Sequence, residues 1–101
     1  MGNDEIVVTV EAGLADLVPT FLANCHSHAR TLRTAAAAGD LAAAASVGHK
    51  LAGSGTSYGF ERVSELGREI ERLAKGGDAH AVGDLARQLE DYLARVRAVS
   101  G

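Results

Sequence analysis

The sequence predicts an all-α fold, an up-down-up-down antiparallel four-helix bundle with a short N-terminal lead-in segment. Three observations point there. The chain has one proline, two Phe, two Tyr and no Trp in 101 residues, so its core must be built mainly of Leu, Val and Ala, a composition better suited to helices than to sheet. Apolar residues recur at spacings of three and four through four segments. Each junction between those segments carries Gly or Asp, the residues that stop one helix and cap the next.

Residues 1 to 11 begin polar and pass through Ile6-Val7-Val8-Thr9-Val10, a β-branched run. No second strand-like run accompanies it, so it is expected to be an extended lead-in that lays its apolar side on the bundle, with the first few residues disordered. The first long helix is expected to start near Asp16 as N-cap, with Pro19 tolerated in the first turn, where the N–H it lacks would have no partner anyway. Leu17, Val18, Phe21, Leu22, Cys25, Ala29, Leu32 and Ala36 form its apolar stripe. Gly39 ends it and Asp40 caps the second helix, residues 41 to 58, whose core stripe is Leu41, Ala44, Gly48, Leu51, Gly55 and Tyr58.

Gly59 ends the second helix, with Tyr58 and Phe60 at the junction. The third helix turns Val63, Leu66, Ile70 and Leu73 inward. Glu65 with Arg68, Glu69 with Arg72 and Glu71 with Lys75 fall at helical spacing and read as solvated pairs, each contributing roughly 0.2 to 0.5 kcal/mol. Gly76-Gly77 breaks this helix and Asp78 caps the fourth, with Val82, Leu85, Ala86, Leu89, Leu93 and Val96 as its stripe and Arg87, Asp91 and Arg95 paired outside. Short connections favour antiparallel neighbours. Residues 1–101 are expected to be one domain, long enough for one core without metal or disulfide.

Composition also excludes functions. A net charge of −3 and a pI near 5.7 argue against nucleic acid as a partner. The apolar runs fall far short of the ~20 residues that cross a bilayer, and the acidic start Met1-Gly2-Asn3-Asp4-Glu5 is unlike a signal peptide. Met1-Gly2 is not a myristoylation site, because Ile6 stands where that motif takes Ser or Thr. The lone Cys25 fits a reducing compartment, so a cytoplasmic protein is expected, and one apolar stripe per helix suffices for a monomer.

One stretch does not read as ordinary bundle packing. His49 lies outside the core stripe of the second helix, and its neighbours within about 60° around the helix are Ala42, Ala45, Ser46, Ala52, Gly53 and Thr56. All are small. A solvated face normally carries Glu, Lys and Arg, and a core face Leu and Val; this face is cleared for something to approach the imidazole. Gly48, Gly53 and Gly55 each cost a helix interior roughly 0.8 to 1 kcal/mol relative to Ala, which suggests that close approach is needed there.

A neutral imidazole can bind metal, move a proton or attack an electrophile. A metal site would need company that His26, His28 and His80 do not supply, and no Cys-x-x-Cys or His/carboxylate cluster is present. Acid–base catalysis would need a pocket and an orienting carboxylate, and the His49 face offers neither. Ser46 and Thr56 can bond water or phosphate oxygens. An exposed nucleophile on an open face suits phosphoryl transfer between proteins, because in-line transfer requires a second protein's active site to close over it.

The run His49-Lys50-Leu51-Ala52-Gly53-Ser54-Gly55-Thr56-Ser57-Tyr58-Gly59-Phe60 resembles the signature of histidine-containing phosphotransfer (HPt) domains of multistep phosphorelays. In that family a hydrophobic residue follows the histidine at the second position, often Lys at the third, Gly at the fourth and Gly at the tenth; Leu51, Gly53 and Gly59 match. The order of helices resembles the family over nearly the whole chain. The resemblance implies His49 as phosphoacceptor on the ring nitrogen farther from the backbone, and receiver domains of hybrid sensor kinases and response regulators as partners. It implies no cofactor of the chain's own, with Mg²⁺ on the partner receiver, and no kinase activity toward ATP. Ala52 stands where many members carry Lys, so Lys50 is the candidate to support the phosphate, alongside Gly53, while Ala42, Ala45, Ser46, Ala52 and Thr56 form the docking face. Lys50 as a merely solvated residue is the plainer alternative. For the whole chain the alternative is a helical adaptor that docks a partner through the same face without phosphate chemistry.

Overall fold

The computed structural model describes residues 4–101; the expected disorder of the first few residues and the Met1-Gly2 pair fall outside the described residues. In chain order it contains strand β1 (Ile6–Val10), a 3-10 segment (Ala12–Leu17), helices α1 (Val18–Ala38), α2 (Leu41–Tyr58), α3 (Glu61–Lys75) and α4 (Ala79–Arg95), and strand β2 (Val96–Ser100). The helix junctions are those the Gly and Asp residues mark. Gly39 and Gly59 adopt left-handed φ of 73° and 87°, a conformation that disfavours any residue with a Cβ. The Asp40 and Asp78 carboxylates accept hydrogen bonds from Ala43 N at 3.2 Å and Ala81 N at 3.0 Å, capping α2 and α4.

Three expectations toward the chain ends are corrected. The β-branched run does have a partner: β1 pairs in parallel with β2, from Ile6 opposite Val96 to Val10 opposite Ser100. Val96 continues the apolar repeat of α4 and so reads as its last turn, yet its backbone is extended, at φ −75° and ψ 140°. It still faces inward. Val10 is buried, and Ile6, Val8, Val96 and Ala98 pack against the core from this small sheet, which supplies the apolar support that two strands alone lack. Asp16 does not cap α1. It falls inside the 3-10 segment, and the capping position is Leu17, with no side-chain hydrogen bond. Pro19 sits in the first turn, as expected.

Helix α2 packs on α1 and α3, and α4 packs on the same two, so the four helices enclose one core. Its largest fully buried members are Phe60, Leu32, Leu51, Ile70 and Leu89. Phe21 links the junction residues, stacking on Tyr58 at 4.7 Å and lying 5.0 Å from Phe60. Tyr92 is buried. The pairs Glu69 with Arg72, Glu71 with Lys75 and Asp91 with Arg95 form as expected. Glu65 instead pairs with Arg62, which also reaches Gln88 of α4, and Arg87 pairs with Asp84 rather than Asp91.

Helices α2 and α3 approach each other closely along their seam. A Cβ added at Gly67 would lie 2.5 Å from Ala52 N and 2.7 Å from Gly48 O, and one at Gly48 would lie 2.8 Å from both Glu71 N and Gly67 O. A Cβ at Gly55 would meet Ser64 at 2.5 Å. The glycines let two helix backbones touch.

Candidate functional site

His49 stands near the middle of α2 with its side chain 78% exposed. Ala42, Ser46 and Gly53 are exposed beside it, whereas Ala45 and Ala52 are half-buried. The three glycines of this helix therefore divide. Gly48 and Gly55 are occupied by α3, so the close approach they permit is within the molecule. Gly53 has nothing within 4 Å of where a Cβ would stand, so it keeps the outer surface low beside the imidazole.

Thr56 also differs from expectation. Its hydroxyl donates to Ser64 Oγ at 2.8 Å, and Ser64 Oγ donates to the Ala52 carbonyl at 2.7 Å. Thr56 is thus committed to the α2–α3 seam rather than free for phosphate. Ser64 is fully buried, a role the sequence hides because a small polar residue inside an amphipathic helix carries no signal of its own. Ser54 and Ser57 turn back onto the carbonyls of Lys50 and Gly53 at 2.9 and 3.1 Å.

The expectation that no carboxylate orients His49 is corrected. Glu71, from α3, places Oε1 3.4 Å from His49 Nδ1, while its Oε2 pairs with Lys75 Nζ at 2.9 Å. The Lys75 ammonium, and after it the His49 imidazole, hold the Glu71 carboxyl below its usual range against the partial burial that raises it. An ionised carboxylate only accepts. A proton on Nδ1 would let that nitrogen donate to the carboxylate, and in the neutral ring this would leave the lone pair on Nε2, the nitrogen farther from the backbone. The sequence concealed this contact because Glu71 already had a helical partner in Lys75 and lies far along the chain from His49.

Lys50 lies on the other side of the histidine. It lines a groove of about 320 Å³ between α1 and α2 with Phe21, Asn24, His28, Ser54 and Tyr58. His28 and Lys50 line this groove together, and burial, and after it the Lys50 charge, push the His28 pKa below its ordinary value. Neither α1 nor α2 contains an acidic residue, while Arg30, Arg33 and Lys50 lie on them. His26 is exposed, and His80 Nδ1 faces Asp84 Oδ2 at 3.4 Å. Among the described residues no three of His, Cys, Asp and Glu gather as a metal site would require, and no helix is long and apolar enough to cross a membrane.

Four helices enclose one core, and the second of them carries an exposed histidine beside a carboxylate of the third. The family model described as Hpt domain matches residues 16–99, and the chain belongs to the Hpt domain family. Members of this family are phosphocarrier modules that work by histidine phosphotransfer in phosphorelays, without kinase activity, and typically interact with receiver domains. Comparison with curated proteins and with solved structures gave no match.

Proposed function

We propose that His49 accepts a phosphoryl group from the aspartyl phosphate of one receiver domain and passes it to the aspartate of a second, linking a hybrid sensor kinase to a response regulator. The observation that carries this reading is the His49–Glu71 pair on a face without large side chains. The Nε2 lone pair attacks phosphorus, the N–P bond forms as the P–O bond breaks, and the receiver's aspartate leaves as a carboxylate. The proton stays on Nδ1, where Glu71 stabilises the positive charge that develops on the ring. Return transfer reverses these steps on the next receiver.

Ala42, Ala45, Ser46, Ala52, Gly53 and the Thr56 methyl would form the low surface on which a receiver seats. Magnesium would belong to the receiver. The acid-free α1 and α2, bearing Lys50, suit an acidic partner site, since opposite charge speeds encounter. In this reading Lys50 supports the partner or the phosphate from the α1 side of His49, and Lys75 stands behind Glu71 on the α3 side. We further propose a monomeric, cytoplasmic carrier of one domain with an up-down-up-down helix course.

The test is incubation with phosphorylated receiver domains, scoring acid-labile, base-stable label. Wild type should take up label, and His49→Gln should take up none while melting within about 0.5 kcal/mol of wild type, as exposed substitutions do. Full labelling of the variant would exclude His49 as acceptor. Stable binding of receivers with no label on wild type would favour the adaptor.

A further inference from the structure

Ser64, Gly67 and Glu71 share one face of α3, at spacings of three and four, and all three meet α2. Ser64 bonds to the Ala52 carbonyl, the Gly67 backbone abuts Ala52 and Gly48, and the Glu71 backbone nitrogen lies against Gly48, one residue before His49. We infer that Gly67, with Gly48 opposite it, is a positioning residue for His49: the touching backbones bring Glu71 within reach of Nδ1 and so leave the lone pair on Nε2. The inference rests on the phosphotransfer reading for its consequence, though not for its geometry.

The distances make the device sensitive. The Glu71–His49 contact, at 3.4 Å, is near the outer limit of a hydrogen bond. A Cβ at Gly67 would begin 2.5 Å from Ala52 N, against about 3.5 Å for an ordinary carbon contact, so α3 would have to retreat by roughly 1 Å. That retreat exceeds the slack in the contact. The imidazole would remain exposed and chemically intact, but its proton would no longer be held on Nδ1.

Nitrogen-15 NMR of the His49 ring reads the tautomer directly, whether or not the chain transfers phosphate. Wild type should show Nδ1–H as the major neutral form. Gly67→Ala should shift the population toward Nε2–H and slow acceptance from a phosphorylated receiver about tenfold, in line with the sensitivity of transfer to misplacement. Glu71→Asp shortens the reach by one methylene without touching the seam, so it should shift the tautomer the same way even if Gly67→Ala folds poorly. In a Glu71→Ala background Gly67→Ala should slow transfer no further, because its effect runs through the carboxylate.

A wild-type tautomer in Glu71→Asp, or further slowing of equal size in the double variant, would overturn the inference. If the tautomer shifts as expected while His49→Gln still accepts label, the positioning stands and the phosphoacceptor reading falls.

Discussion

Gly48 and Gly53 lie five residues apart on one helix, and alanine at the two positions should have opposite effects. At either site the change removes a helix-interior glycine, a gain of about 1 kcal/mol. At Gly53 the new methyl meets nothing within 4 Å, so most of that gain survives. Gly53→Ala should stabilise the protein by about 0.5 to 1 kcal/mol, raising Tm by roughly 2 to 8 °C for a domain of this size. At Gly48 the methyl would lie 2.8 Å from Glu71 N and Gly67 O, both backbone atoms that cannot rotate away. Overpacking of this kind costs about 1 to 3 kcal/mol, so Gly48→Ala should lose about 1 kcal/mol net despite the gain in propensity. Urea denaturation with an unchanged slope reports both. Because Gly53 stands beside His49, its alanine variant should also transfer phosphate more slowly while being more stable. If Gly53→Ala destabilises or Gly48→Ala stabilises, the division into an inward and an outward glycine is wrong.

Two further outcomes concern pH. Burial pushes the Cys25 thiol from an ordinary 9.0 up to about 12; the folded chain keeps this proton where the unfolded chain has lost it, so stability should fall as pH rises from 9 toward 12, by at most about 1.4 kcal/mol per pH unit. Tyr92, raised by its own burial and then by Cys25, acts in the same direction. Cys25→Ala should reduce the alkaline slope, and native Cys25 should resist alkylation near neutral pH; rapid labelling of the folded protein would contradict its burial. His28 shifts the other way. Its folded pKa lies below the ordinary 6.5, so the unfolded chain binds this proton first and stability should drop as pH falls below 6.5. His28→Gln should flatten that slope, and Lys50→Met should raise the His28 pKa in an NMR titration; an unmoved pKa would separate the two groups.

The helix boundaries were legible because their causes are local. Gly39, Asp40, Gly59 and Asp78 act within a turn of themselves, and the repeats at three and four report a face that solvent either wets or does not. The β1–β2 pairing was not legible, because a parallel partner some ninety residues away leaves no turn signal and Val96 serves the α4 repeat equally well. The site divides similarly. His49 and its small neighbours declare themselves by contrast with an ordinary helix face, and two of the three glycines, Gly48 and Gly55, do mark close approach, though by a helix of the same chain. What the sequence hides is who approaches: α3 at Gly48 and Gly55, open space at Gly53. Glu71 and Ser64 became visible only once the seam between α2 and α3 was fixed, since each depends on which backbone atoms lie opposite.

The small sheet also governs how the protein bears load. Because β1 and β2 run in the same direction, Ile6 lies at one end of the ladder and Ser100 at the other. Tension applied between the two ends of the chain would slide the strands along each other and strain all their hydrogen bonds together, instead of peeling them apart one at a time. The helices inside this clasp, including the one that carries His49, would feel little of the pull until the whole ladder gave way.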